Sequence, residues 1–203
     1  MTLHGRPRGK IARALGLNVF GNPKYDRLLE RKPHGPGQSP KARPRKRSEY
    51  AVQLAEKQKL RYGYGFGERQ FRRFVDEALA APGVTGENLL VALESTLANA
   101  VWRSGWAASR LAARQLVVHG HVSVDGRRAD RPSMRVAPGA LLELRGTAAL
   151  ASQARAAIER HGPAPAWLER GEDGLKVRVA ARPAPADAAF PGSVQLVVEY
   201  YAR

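Results

Sequence analysis

The sequence predicts an α+β protein in which a small antiparallel sheet is packed on helices. Three observations carry this: apolar residues at helical spacing from Phe71 to Leu79, a capped basic helix that turns through Gly120 into a hairpin, and short strand-like segments beyond it,. No internal repeat accompanies them.

Taken in order, the stretch from Lys32 to Pro44 holds Pro33, Gly35, Pro36, Gly37, Pro40 and Pro44. That composition excludes long helices and strands there, so residues 1–47 are expected to form a basic, extended N-terminal arm,. Ser48 then caps a helix through about Arg61, with Glu49 near its positive end and Val52, Leu54, Ala55 and Leu60 available for packing,. Gly63, Gly65 and Gly67 interrupt it. In the next helix, Glu68 to Ala80, Phe71, Phe74, Val75, Ala78 and Leu79 recur at the spacing of a buried face,. Arg69, Arg72 and Arg73 lie opposite, and core packing requires no row of one sign. After Pro82-Gly83, Thr85 begins a helix with Leu89, Leu93, Leu97, Ala100 and Val101 on one side and Gly105 near its end,.

The segment from Ser109 to Gly126 is the most informative. Ser109 is a good N-cap, and Arg110 and Arg114 stand one turn apart on one face,. Leu111, Leu116 and Val118 are expected to pack inward, leaving both arginines outward. Gly120 ends the helix, and Val122 and Val124 alternate before Asp125-Gly126, a pair that closes hairpins,. Val136, Pro138-Gly139 and Leu141 to Leu144 continue the sheet, and Ala148 to Glu159 reads as a helix,. Val177 and Val179 alternate in a less regular tail, and Gln195 to Tyr201 favours strand by its valines and tyrosines, with a terminal helix as the alternative,. Trp102 follows Val101 in an apolar progression and is expected in the core rather than stacked on a base,.

Charge narrows the function. The 203 residues include 34 Lys and Arg against 18 Asp and Glu, a formal net charge of +16, which points to a polyanionic partner,. Residues 1–48 alone hold 13 Lys and Arg against Asp26 and Glu30. Neutralising phosphates with such a segment releases counterions, so affinity should fall steeply with salt. The absence of cysteine excludes disulfides, thiolate catalysis and cysteine-ligated zinc,. No apolar run approaches the roughly 20 residues that span a bilayer, and Met1 to Arg6 lacks an apolar signal region, so a cytoplasmic protein without a membrane partner is expected,. His119 and His121 have no evident third ligand, so no metal is expected,. Glu172 with Asp173, and Asp76 with Glu77, lie near no phosphate loop or nucleophile motif; they read as surface charge, and neither an enzyme nor a cofactor is indicated,.

Five blocks in order, Glu56-Lys57-Gln58-Lys59, Glu68-Arg69-Gln70-Phe71-Arg72, Thr85-Gly86-Glu87-Asn88-Leu89-Leu90, Ala113-Arg114-Gln115-Leu116-Val117 and His119-Gly120-His121, resemble the S-four family of bacterial small-subunit ribosomal proteins. The likeness runs nearly end to end. Similar small RNA-binding domains occur in pseudouridine synthases, tyrosyl-tRNA synthetases and a heat-shock protein that binds stalled ribosomal subunits, and the flanking blocks select among them. The resemblance implies a helical domain from residues 48–89 with about 168–203, and an RNA-binding domain inserted at 90–167. It also implies a non-enzymatic constituent of the small subunit that binds a multi-helix junction of its ribosomal RNA early in assembly. Contact with protein S-five, an interface linked to decoding accuracy, and a place along the channel through which mRNA enters come with it. An assembly or rescue factor, or an RNA-modifying enzyme guided by the same domain, is the competing reading.

A-form RNA hides its major groove, so a junction is recognised by shape, phosphates and 2′-hydroxyls, for which the arginine fork is suited. The residues assigned to phosphates are therefore Arg69, Arg72, Arg73, Arg110, Arg114 and Arg127, with Gln115 and His119 adding hydrogen bonds. Arg6, Arg8, Lys10, Arg13, Lys57, Lys59 and Ser109 complete the expected ribosomal RNA set. By resemblance, Arg43, Arg45, Lys46 and Arg47 are assigned to mRNA. Two departures from relatives stand out: the four N-terminal zinc-binding cysteines many of them hold are absent, and Thr96-Leu97-Ala98-Asn99 replaces a common Arg-Leu-Asp-Asn.

Overall fold

Side-chain caps fix where the elements begin. In the computed structural model, which describes residues 7–37, 46–188 and 190–202, Asn22, Ser48, Ser109, Thr147 and Ser193 each accept a hydrogen bond from a first-turn amide,. The helices are α1 (Arg8–Leu15), α2 (Pro23–Arg31), α3 (Glu49–Tyr64), α4 (Glu68–Ala80), α5 (Thr85–Glu94), α6 (Leu97–Arg103), α7 (Arg110–Val118), α8 (Ala148–His161) and α9 (Val194–Tyr201). The strands are β1 (Val122–Val124), β2 (Arg127–Ala129), β3 (Leu141–Leu144), β4 (Leu168–Arg170) and β5 (Lys176–Val179). The α+β class expected from the sequence is the one observed. No helix among the described residues is long and apolar enough to cross a membrane.

The chain divides into two compact units, Met1–Leu89 with Phe190–Arg203, and Leu90–Ala189. In the first, Leu60, Phe66, Phe71, Val75 and Val197 are fully or almost fully buried, and the Phe66 and Phe74 rings pack 5.0 Å apart. The α4 stripe is observed up to Ala78, whereas Leu79 is exposed at the helix end. Two expectations are corrected. The segment near Tyr201 is a helix rather than a strand: Ser193 caps it, Val197 is buried, and Gln53 of α3 donates to Glu199. Its valines and tyrosines have strand propensity, but packing against α3 decides the outcome. The basic arm is not extended throughout, since α1 and α2 lie within it. Asn22 caps α2 ahead of Pro23, a residue already shaped for the first helical position,. Arg13 then donates to the carbonyls of His34 and Gly35, tying the following turn back to α1.

The second unit is built on a five-stranded antiparallel sheet in the order β2-β1-β3-β5-β4. Its core face carries Val122, Leu142, Leu168, Val177 and Val179, which meet Leu97, Val101, Trp106, Val117 and Trp167 in one buried cluster. Residue 168, the expected start of the helical domain's C-terminal part, falls at the first position of β4 inside this sheet. The alternation of Val177 and Val179 that looked like an irregular tail is the inward face of β5.

The single helix expected from Thr85 to Gly105 is two helices. The hydroxyls of Ser95 and Thr96 donate back to the carbonyls of Val91 and Leu93, competing with the helical ladder,. Thr96 is extended and forms an isolated bridge with Arg135. The amides of Leu97 and Ala98 then donate to the carbonyls of Met134 at 2.7 Å and Pro132 at 3.0 Å. Backbone bonds thus hold the segment in which the common arginine and aspartate are replaced.

Leu142 lies at the centre of the sheet with no exposure. Leu142→Ala is expected to cost about 2–5 kcal/mol, read as a lower urea midpoint at unchanged slope.

Candidate nucleic-acid interface

In the second unit α7 and the β1–β2 hairpin form a basic edge. Ser109 accepts the Ala112 amide at 3.2 Å, so its hydroxyl serves as the cap. Gly120, at φ +74°, lets the chain reverse into β1,. A β-carbon there would overlap the Arg128 guanidinium, which lies across the glycine. Asp125 and Gly126 both have positive φ, as a two-residue hairpin turn requires, and Asp125 fastens the turn by accepting the Leu141 amide at 2.8 Å,.

The buried face of α7 is not the one expected. Ala113 and Val117 are buried, Leu111 and Leu116 are half-buried, and Val118 is exposed. The helix is rotated from the expected face, and Arg110 turns inward as a result. Its Nε donates to Asn99 at 2.8 Å, its Nη2 lies 3.5 Å from Glu94, and its guanidinium sits 3.9 Å from the Trp102 ring centroid. Arg103 approaches the same fully buried Glu94 carboxylate with two nitrogens, at 3.0 and 3.1 Å, and lies 4.8 Å from Trp102. Trp102 is thus packed against the core between two cations,. Nearby, burial and the charges of Arg170, Arg103 and Arg110 pull His161 below its usual titration range. Arg114 is half-buried, and desolvation lowers its pKa; Gln115, His119 and Arg127 are exposed.

In the first unit Arg69, Arg72 and Arg73 project from the exposed face of α4, and Arg72 makes a loose 3.9 Å contact with Asp76. Arg8 and Lys10 are exposed on α1. Lys57, expected to contact RNA, has a buried side chain that bonds Glu68 at 2.6 Å and faces the Tyr200 ring at 4.7 Å. Lys59 is paired with Glu56 at 2.5 Å. Glu68 also receives Tyr201 at 2.8 Å and Arg61 at 3.3 Å. Burial pushes the Glu68 carboxyl up, but the Lys57 and Tyr201 hydrogen bonds and the two cations hold it below its ordinary value. Burial, then the Glu68 bond, raises the Tyr201 hydroxyl.

Arg6, Arg43 and Arg45 lie outside the described residues; Lys46 and Arg47 are exposed ahead of α3. Sequence reasoning missed Arg128 and Arg131 beside the hairpin, and it missed Glu94. The Arg127-Arg128 pair directly after the turn was the available signal; nothing local marks Glu94 as a partner for residues on α6 and α7. Among the described residues no group of acidic or histidine side chains is arranged to hold a metal.

Two family profiles match in tandem: the Ribosomal protein S4/S9 N-terminal domain over residues 4–94 and the S4 domain over residues 96–142. With the basic edge on a helix-packed sheet, they define the class as an S4-domain protein. The chain is 41% identical over 200 residues to the small ribosomal subunit protein uS4 of Treponema denticola, covering 98% of this chain and 97% of that one. It is 42% identical to the protein of the same name from Treponema pallidum, covering 98% of each, and 40% identical to that of Borreliella burgdorferi, covering 97% and 96%. The chain belongs to the small ribosomal subunit protein uS4 family.

Glu94→Gln leaves Arg103 and Arg110 without their shared counter-charge and is expected to cost about 3–5 kcal/mol in urea unfolding; a loss near that of a surface pair, below about 1 kcal/mol, would refute the role. Glu68 titrates lower in the folded protein than its ordinary 4.5, so its stabilisation is present above that pH and lost as pH falls through the folded value,. Glu68→Gln should therefore flatten the stability curve on the acid side, as followed by tyrosine fluorescence during pH titration.

Proposed function

We propose that this chain is a structural constituent of the small ribosomal subunit that binds its ribosomal RNA. The observation that carries the reading is the near full-length identity to proteins named small ribosomal subunit protein uS4, with both family domains in order. A formal charge of +16 and guanidinium groups exposed on α4 and the hairpin supply the chemistry for phosphate contact,. Arg69, Arg72, Arg73, Arg114 and Arg127 are the principal contacts, carried on packed elements whose backbone need not be ordered on binding. Arg110 acts one step back, holding α7 against Trp102 and Glu94. A cytoplasmic location follows from a place in the ribosome.

Finer roles belong to the same reading: binding a multi-helix junction early in assembly, contributing to decoding accuracy, and placing Lys46 and Arg47 beside incoming mRNA. A neighbouring protein such as S-five fits a different surface. Tyr50 and Val52 are exposed on α3, and Tyr50 packs against Tyr200 at 5.6 Å beside Glu49 and Glu199. Aromatic and acidic groups suit a protein partner better than a phosphate backbone. A full-length match to a structural protein disfavours the rescue-factor and RNA-modifying readings.

The chain should co-sediment with small subunits at one copy each and protect one multi-helix region of their RNA from hydroxyl radicals. Uniform weak protection across any RNA overturns the reading. Arg72→Ala and Arg73→Ala should each lower the slope of log affinity against log salt by about 1, measured by filter binding across a salt series.

A further inference from the structure

Beside the hairpin lies a concavity of about 660 Å³, within the roughly 300–1,000 Å³ range of small-ligand sites,. Its construction follows from strand register. Val122 pairs with Ala129 and Val124 with Arg127, so all four share one face of the β1–β2 ribbon,. The apolar side of the sheet therefore runs out toward the turn and ends at a guanidinium. Met134, whose carbonyl holds the Leu97 amide at 2.7 Å, joins Val124 and Ala129 to make an apolar floor. Arg127 and Arg131 stand around it, both exposed, whereas Arg128 pairs with Ser123 on the other face of the ribbon and its guanidinium lies across Gly120. Asp125 and Asp130 share the rim, and Asp125 turns one oxygen toward the Leu141 amide.

A site with an apolar floor and two guanidinium groups at its rim suits a ligand that is flat and apolar on one side and carries a hydrogen-bond-accepting anion on the other. A phosphate alone leaves the floor wet, and an apolar ligand alone leaves the guanidinium groups unused. A nucleotide satisfies both. Its base lies on Val124, Ala129 and the Met134 thioether, a favourable neighbour for an aromatic ring, while its phosphate meets both Arg127 and Arg131. Bases in a duplex are stacked and cannot reach such a floor, whereas unpaired ones can be splayed out and stacked on planar arginines. We propose that this concavity binds one unpaired RNA nucleotide, so that the hairpin recognises a bulge or loop and not only the phosphates of a helix. The inference rests on the RNA-binding reading above and adds a base-binding site to it.

The sequence contains two methionines, Met1 and Met134, so ¹³C-methyl methionine labelling of the full chain places one reporter in the floor. Adenosine 5′-monophosphate, ribose 5-phosphate and inorganic phosphate would be titrated in turn. Adenosine 5′-monophosphate at millimolar concentration should shift the Met134 methyl upfield by ring current and leave Met1 unmoved. Arg127→Ala and Arg131→Ala should each raise the half-saturating concentration by about tenfold, the loss of one charge-assisted contact. No movement of Met134, or an equal movement with ribose 5-phosphate or phosphate, overturns the site. Co-sedimentation of the same labelled chain with small subunits is scored separately: if it succeeds while the titration fails, only the nucleotide site is lost, and if it fails, the ribosomal reading itself falls.

Discussion

A chain with a formal charge of +16 folds only if the cations that enter its interior are neutralised there,. In each unit a single carboxylate answers two of them. In the first, Glu68 answers Lys57 and Arg61; in the second, Glu94 answers Arg103 and Arg110. Neither carboxylate acts alone, because aromatic rings take up the faces of the cations: Tyr200 and Tyr62 in the first unit, Trp102 in the second. The Trp102 indole lies against both arginines of the second cluster.

This division sorts the basic residues into two populations with different work. Those bound to Glu68 and Glu94 set the angles at which helices meet, and their loss acts on stability. Those on the outer face of α4, Arg8 and Lys10 on α1, and Arg127 and Arg131 by the hairpin are exposed. Lys57 and Arg69 are both basic residues of the first unit, yet one is buried against tyrosines and the other is in solvent. A change in RNA affinity after mutating the first population would be indirect, through a displaced helix.

Much of this was legible in the sequence where the deciding interactions are local. The serine caps of α3 and α7, the limits of α4, its phenylalanine stripe, and the Asp125-Gly126 turn all depend on residues within a few positions of one another, and all appear where expected. The misreadings share an opposite cause. The face of α7 was assigned from Leu111, Leu116 and Val118, but a buried acid sixteen residues before Arg110 supplies the interaction that turns the helix. Tyr200 and Tyr201 look like strand residues until α3 offers Lys57 and Gln53 to that end of the chain. The break after Glu94 is set by carbonyls at Pro132 and Met134. The basic surface was foreseeable from charge, whereas which of its members are spent internally was not.

The closure of the first unit by α9 bears on how the molecule is made. Translation delivers α1 to α4 first, then the whole sheet-bearing unit, and only afterwards the segment from Phe190 that seats Val197 and Tyr201 against them. Until then Lys57 and Glu68 lack their tyrosine cover, and an incomplete apolar surface faces the cytosol or a chaperone. The intervening unit carries its own buried cluster and can fold as it emerges,. Maturation of the leading segment is thus delayed by the chain length that separates its parts, and a nascent chain truncated before Phe190 would display an unfinished amino-terminal unit beside a finished sheet.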